Sequence, residues 1–500
     1  MEIELKMVIA PEDARRLLRS PLLASARRSA PSSRKLLSVY YDTPERHLAR
    51  AGMALRLRRQ GRQWIQTFKC GGGTAGGLHQ REEHEVPVRA GSPDLAALAA
   101  TAAAPLLIES EVSSRLAPVF TTSFQRTSVR VEIFPEAFAE LCVDLGEITA
   151  GGRRAPIHEV EIELENGSPA HLFGFARRML EVADLRLENA SKAQRGYALA
   201  DGIVQGPIRA RPPVLGAAVD ADGLFSLVVG SAVDQFLANA SGAVAGEDPE
   251  FLHQARVALR RLRSALRLFR PHVPRSSVAD LSERLGEMAT AVGPARDWDV
   301  FLGETLPAVS RAFPDEASFA AVARAGRRQR DEAGPAVARA LAGPRCTAIF
   351  LDLATRMTEA PWAQGEQQAR DGHDLARRIL RRQWRRVRVA GKALSHEDTA
   401  SLHRLRIEVK RLRYAADFFS TLNLGKGEAF ARDLAGLQDV LGRINDEAVT
   451  GRLLQQLAAQ DTGIAYELGV VRGFCRALAG QALEQFDAAW QRFARRKPYW

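Results

Sequence analysis

Six segments within the first 205 residues carry charged side chains at alternate positions. Glu2, Glu4 and Lys6 alternate with Ile3 and Leu5, and Arg56 and Arg58 with Leu55 and Leu57. Ile65, Thr67 and Lys69 share a face. Arg126, Ser128, Arg130 and Glu132 alternate with Thr127, Val129, Val131 and Ile133. Glu140 and Asp144 alternate with Leu141, Val143 and Leu145, and Glu159, Glu161 and Glu163 with Val160, Ile162 and Leu164. Period-2 alternation is the signature of strands with one apolar face. A wet sheet face usually mixes Ser, Thr, Lys and Glu, whereas here the charges are sorted by strand, and like charges two apart repel. Clustered Arg and Lys opposite clustered carboxylates fit a closed barrel with a polar lumen. In such a lumen Arg and Lys would grip phosphate oxygens. Three or more carboxylates would hold a hard divalent cation such as Mg2+ or Mn2+. Such a cation can stabilise charge on a leaving phosphate and orient a water.

A second set of charges has helical spacing. His253, Arg256, Arg260, Arg263 and Arg267 recur at 3, 4, 3 and 4, and His403, Arg406, Lys410 and Arg413 repeat the stripe. Leu259, Leu262 and Leu266, or Val409 and Leu412, form the apolar stripe beside each. Acidic partners at i±4 are few, so repulsion within each helix is uncompensated, which points to a polyanionic partner. A third basic stretch contains Arg377, Arg381, Arg385 and Arg388. The aromatics that would stack on bases are limited to Trp384 and Tyr414, so no base-reading module is evident, although a cationic row also attracts nucleic acid non-specifically.

The elements that must position these residues differ between the two halves. Residues 1 to 205 read as strands with helices near 11–19 and 169–183. Residues 206–221 are rich in Pro and Gly and read as a linker. From 222 to 500 the pattern is helical, broken at Gly293-Pro294, Gly334-Pro335 and Gly343-Pro344. This half repeats itself: 253–269 resembles 403–419, and 285–300 resembles 434–449, which suggests two related bundles. The fold class expected is α+β: an N-terminal antiparallel β-barrel tunnel with flanking helices, then an all-α domain of two repeated bundles.

Five hundred residues are too many for one compact core. The net charge is +11, about +3 of it in the first 210 residues and about +8 in the rest. Four scattered cysteines offer neither metal spacing nor a disulfide scaffold. No apolar run reaches the roughly 18 residues of a membrane helix, and the first residues hold no signal-type apolar core. Secretion, membrane spanning and zinc fingers are therefore not expected. The expected location is the cytoplasm.

The motifs of the first half resemble the CYTH family, the triphosphate tunnel metalloenzymes. Glu2 to Lys6 matches its ExExK signature, and the other elements follow in family order. They are Tyr40 to Pro44, Leu55 to Arg59, Phe68-Lys69, Arg81-x-Glu83-x-Glu85, Arg126 to Arg130, Glu140 to Gly146, Glu159 to Glu163 and Ser191 to Tyr197. Residues 74–81 look most like the bacterial inorganic triphosphatase branch. The resemblance implies that Arg56, Arg58, Lys69, Arg81, Arg126, Arg130, Lys192 and Arg195 hold phosphates. It implies Glu2, Glu4, Glu161 and Glu163 as the leading ligands of Mg2+ or Mn2+, supported by Asp144, Glu140 and Glu159. Glu4 and Lys6 become the catalytic pair, Lys6 contacting phosphate or the reacting water.

The second half resembles the CHAD family, which often follows CYTH. The features are His253 to Arg263, His403 to Arg413, Arg296-Asp297 and the corresponding Asn445-Asp446. The resemblance implies inorganic polyphosphate binding through His253, Arg256, Arg260, Arg263, His403, Arg406, Lys410 and Arg413. The joint expectation is a metal-dependent hydrolase of inorganic triphosphate that also holds polyphosphate and has no membrane partner. The CYTH family also contains thiamine triphosphatases and adenylate cyclases, and a non-catalytic polyphosphate-binding protein is a reading of a different class.

Overall fold

The computed structural model describes all residues except 1, 62, 90–91, 99–100, 103–109, 217, 247, 274, 315–318, 360–370, 395–397, 423 and 426. The chain forms two compact units, one of residues 1–207 with 342–360, the other of 208–341 with 361–500.

The first unit is built on nine antiparallel strands: β1 (Glu2–Ile9), β2 (Ser32–Asp42), β3 (Ala54–Gln60), β4 (Gln63–Ala75), β5 (Leu78–Val88), β6 (Ala117–Phe134), β7 (Ala137–Ala150), β8 (Arg153–Leu164) and β9 (Leu185–Leu187). Their order is β5-β4-β3-β2-β6-β7-β8-β1, and pairing of β1 with β5 closes eight strands into a barrel. One edge of β1 is shared: its first half pairs with β5 and its second with β9. The β7–β8 hairpin turns through Gly151-Gly152, both with positive φ, the two-residue geometry whose twist suits antiparallel strands.

The inward faces are largely charged, so the main apolar core lies outside the barrel wall. Leu5, Met7, Ile9, Val131, Leu141, Val143, Val160 and Ile162 face outward and are buried by Leu172, Phe175, Ala176 and Met179 of the helix Pro169–Met179. Ser168 caps that helix with a capping box. A second apolar cluster lies on the lumen side at one end of the barrel, where Tyr40, Phe120, Phe124 and Ile157 meet Ala193 and Tyr197 of the helix Lys192–Asp201.

The second unit is helical. The two copies of the repeat lie in the helices Pro249–Phe269 and Thr399–Phe418. These helices meet through Arg261 and Asp417, 3.6 Å apart, and through Phe269 and Phe419. The second repeated stretch differs between copies. In the first it spans Arg275–Ala291 and Gly293–Val300, with Pro294 at the start of the new helix. In the second it runs unbroken inside Glu428–Gln460, because no proline removes a backbone donor there.

Two sequence expectations need correction. Pro335 does not end a helix but lies on an exposed turn within Phe319–Ala342, where the carbonyl that loses its N–H partner is open to solvent. The helix Ala221–Ala245 is long and apolar enough to cross a bilayer by length and composition. Here, however, Leu224, Phe225, Val228, Val229 and Phe236 are buried within protein. Its buried Gln235 and Asn239 find partners there too, in Gln254 and the backbone of Ile208.

Because Phe175 is 1% exposed at the centre of the outer core, Phe175→Ala should destabilise the first unit by about 3–5 kcal/mol. Calorimetry of the full chain would measure this in that unit's transition. A loss below about 1 kcal/mol would show that the barrel does not depend on this face.

Candidate active site and basic helical surface

The barrel encloses a cavity of about 350 Å³. Glu2, Glu4, Lys6, Arg56, Arg58, Lys69, Arg81, Arg126, Glu161, Glu163 and Lys192 line it, as do Glu83, Glu85 and Glu140. Strand register explains the convergence: Glu4 sits opposite Glu163, Lys6 opposite Glu161, Glu140 opposite Glu163, and Glu2 opposite Arg81. Ser191 caps the helix that begins at Lys192, which fixes the lysine at the barrel mouth.

At one end the charges neutralise one another. Lys192 Nζ lies 2.7 Å from Glu159, 2.7 Å from Glu161 and 2.8 Å from Asp144. Arg126 grips both oxygens of Asp144, at 2.7 and 2.6 Å, and reaches Glu161 at 2.5 Å. Lys6 Nζ is 2.9 Å from Glu161 and 3.5 Å from Glu4. Burial disfavours the charge on Lys6, but Glu161 and Glu4 hold it above the ordinary lysine range. Burial likewise opposes ionisation of Glu161, but Lys192, Lys6 and Arg126 keep its carboxyl well below the usual range. Lys6 is therefore a fixed ammonium that donates hydrogen bonds and cannot serve as a base near neutral pH.

Elsewhere the lumen is not neutralised. Burial pushes the Glu2 carboxyl up to about 8, against the pull of Lys69 and with help from Glu83 and Glu4. Burial and the neighbouring Glu4 raise Glu163 as well. These carboxylates are crowded beyond what Lys69, 2.7 Å from Glu2 and 2.8 Å from Glu83, can balance. A set of hard oxygen donors that resist ionising together is what a divalent cation would relieve. Facing them are cations without carboxylates. Burial, Arg56 and Arg126 push Arg58 down to about 10, and among the described residues neither Arg58 nor Arg81 forms an ion pair. The structure thus offers one row of oxygen donors and one row of unpaired guanidiniums.

The expected residues do not all converge. Asp144 and Glu159 are fully buried behind the cavity wall on cations, although with Glu161 their oxygens lie within 4.8 Å of one another. Arg130 points away: it pairs with Glu165 at 2.7 Å, lies over Phe138, and is half exposed beyond the barrel rim. Arg195, one turn into its helix, leaves the lumen to pair with Glu159 and the Pro156 carbonyl. Arg34 and Tyr40 also line the cavity and were not singled out from sequence. Ser32, Arg34, Leu36, Ser38 and Tyr40 share one parity, a readable signal, but a single Arg among Ser and Leu does not stand out. Tyr40 stacks on Phe120 at 4.4 Å. Burial opposes its ionisation, but Arg56 and Arg58 outweigh this and lower its pKa.

In the helical unit His253, Arg256, Arg260, Arg406 and Lys410 influence one another's charge. Arg256 donates to the Gly293 carbonyl at 2.8 Å and meets Asp297 at 3.3 Å. At the corresponding place in the second copy, burial pushes the Asp446 carboxyl up, against a smaller downward pull from Arg406 and Lys410. Burial, Arg406 and Arg260 push Lys410 down to about 7. Nε of Arg260, Arg263 and Arg406 is buried without a hydrogen-bond partner. Arg263 faces Arg411 rather than this group. His403 is exposed one turn earlier, and Arg413 is exposed beside Asp417.

Comparison with known proteins agrees with this geometry. The CYTH domain family matches residues 1–197 and the CHAD domain family residues 228–455. An inorganic triphosphatase of Haemophilus influenzae is 36% identical over 199 residues, 40% of this chain and 54% of the relative, so only about half of that protein is spanned. An uncharacterized protein of Mycobacterium tuberculosis is 26% identical over 487 residues, 91% of this chain and 89% of the relative. The crystal structure of the CHAD domain from the plant Ricinus communis matches with 32% identity and a TM-score of 0.53, covering 59% of this chain and 99% of that one. The barrel with its charged lumen and the repeated basic helices therefore identify the chain as a CYTH domain followed by a CHAD domain.

Proposed function

We propose that the barrel hydrolyses inorganic triphosphate to pyrophosphate and phosphate, and that the helical unit holds inorganic polyphosphate in the cytoplasm. The observation that carries the first part is the cavity in which unpaired Arg58 and Arg81 face the crowded carboxylates Glu2, Glu4 and Glu163. The relative named as an inorganic triphosphatase, 36% identical across this region, supports the same substrate. Arg56, Arg58, Arg81 and Lys69 would hold the phosphate oxygens, with guanidiniums suited to two-pronged contacts. Glu2, Glu4 and Glu163 would hold Mg2+ or Mn2+, which when bound supplies charge stabilisation and a positioned water. Water adds to the terminal phosphorus, the bond to the bridging oxygen breaks, pyrophosphate leaves with the electron pair, and the water's proton passes to a phosphate oxygen. Lys6, locked as an ammonium, would donate to oxygens gaining charge, while Lys192, its three N–H groups taken by Asp144, Glu159 and Glu161, contributes only to the field at that end. Closing anionic phosphates inside a wall of low polarity strengthens each of these contacts.

The second part rests on partly exposed guanidiniums whose Nε atoms lack hydrogen-bond partners. Arg260 and Arg406 present orphaned Nε donors beside Lys410. A chain of phosphates would supply the missing acceptors and counter-charge.

Glu4→Gln should lower metal-dependent phosphate release from triphosphate about a hundredfold or more while leaving polyphosphate retention intact. Equal turnover in the variant would refute the metal role. Polyphosphate binding should also depend on pH. Lys410 is protonated below about 7 and loses its charge above it, so affinity should fall as pH rises from 6 to 8, by up to about tenfold per unit for one linked proton. Titration of labelled polyphosphate should show this slope, and Lys410→Arg should flatten it. A double charge reversal, Arg260→Glu with Lys410→Glu, should abolish retention without altering triphosphate turnover. An unchanged affinity would remove these residues from the surface.

A further inference from the structure

The helix Pro344–Glu359 lies within the stretch matched by the CHAD family, yet it belongs to the barrel unit. Leu351, fully buried, joins the outer core with Leu172, Met179 and Leu185, and Ala354 packs against the same cluster. Asp352 approaches Arg177 at 3.5 Å. The contact of most consequence is polar: the buried Thr347 hydroxyl donates to the Leu185 carbonyl at 2.6 Å.

Leu185 is in β9, a strand of only three residues. So short a strand holds its place weakly unless both sides are supported. On one side β9 pairs with β1, Leu185 opposite Ile9 and Leu187 opposite Met7. The residue after β9 continues the grip, since Glu188 N–H donates to the Lys6 carbonyl at 3.1 Å. Lys6 N–H in turn donates to Gly77, whose own N–H is held by Asn189. β1 carries Glu2, Glu4 and Lys6, and the segment after β9 leads into Lys192.

We propose that the helix Pro344–Glu359 is a positioning element of the barrel's reaction site. Through Thr347 and Leu351 it holds β9 on β1 and so keeps Lys6 and the β1 carboxylates in register. The barrel's competence then depends on a segment drawn from the second half of the sequence. For its activity arm this inference rests on the triphosphatase reading.

The test uses full-length Thr347→Val, which removes the donor at nearly constant shape, together with Leu351→Ala and Leu351→Met. Hydrogen exchange is followed in residues 2–9 and 185–192, alongside triphosphate kinetics and thermal midpoints. Thr347→Val should speed exchange in both segments about tenfold, because local opening is made easier without global unfolding. It should also lower kcat several-fold while KM, set largely by arginines on β3 and β5, stays near its wild-type value. Leu351→Ala should act in the same sense and Leu351→Met should retain wild-type behaviour. Unchanged exchange and kcat in both Thr347→Val and Leu351→Ala would overturn the proposal, as would a lowered midpoint with β1 exchange and kcat intact. If the wild-type protein fails to cleave triphosphate, the exchange arm still decides the positioning claim and the failure falls on the proposed function.

Discussion

The interaction on which the barrel depends is the buried charge network of Lys192, Lys6 and Arg126 with Glu161, Glu159 and Asp144. A closed barrel whose lumen is largely charged draws apolar stability from its interior only at the end closed by Tyr40, Phe120, Phe124 and Tyr197. Each buried carboxylate there must meet a cation, because removing one partner leaves an uncompensated charge in a poor dielectric. The main apolar stabilisation has accordingly moved to the outer wall, under the helix Pro169–Met179. This arrangement frees the other end of the lumen from structural duty. Glu2, Glu4 and Glu163 are crowded there, and Arg58 and Arg81 stand without carboxylates. The first set is neutralised within the chain; the second is balanced only in part, by Lys69 at Glu2 and Lys6 at Glu4.

The helical unit reaches a related state by repetition. Arg256 pairs with Asp297 in the first copy, and in the second Asp446 acts on Arg406 electrostatically without an ion pair as close. Each copy supplies more cation than its aspartate can balance, and the surplus of both gathers around Arg260 and Lys410. Both units therefore assemble positive groups at a cost in self-repulsion, which only an anionic partner relieves. Under the function proposed above, a chain of phosphates, with oxygens at short regular intervals, would complement both sites, as a short oligomer in the cavity and as a longer polymer on the helices.

Much of this was legible in the sequence because strand alternation is unforgiving: a one-residue slip would bury Glu159, Glu161 and Glu163 in the outer core. That is why the inward faces of β1, β3, β7 and β8 could be read directly. Direction along a strand was less readable. Arg126 and Arg130 share a parity, but the second lies past the rim and finds Glu165. Arg195, placed in the lumen by the family resemblance alone, turns instead to Glu159, and Arg413, on the expected helical stripe, lies exposed beside Asp417. Asp144 carries the strand signal of a cavity ligand yet serves as the anchor of Arg126 and Lys192. The membership of 344–359 in the barrel unit has no local signal at all, since its apolar stripe reads the same against either unit.

The central claim is that the lumen is a site for triphosphate chemistry and not only a charged scaffold. The most direct measurement is release of phosphate and pyrophosphate by the full chain from inorganic triphosphate, beside ATP, thiamine triphosphate and long-chain polyphosphate, each with Mg2+, Mn2+ or a chelator. The account predicts rapid cleavage of inorganic triphosphate that the chelator abolishes, with little turnover of the other compounds. Retention of polyphosphate without cleavage of any triphosphate under any metal would contradict it, and would make the barrel a binding chamber.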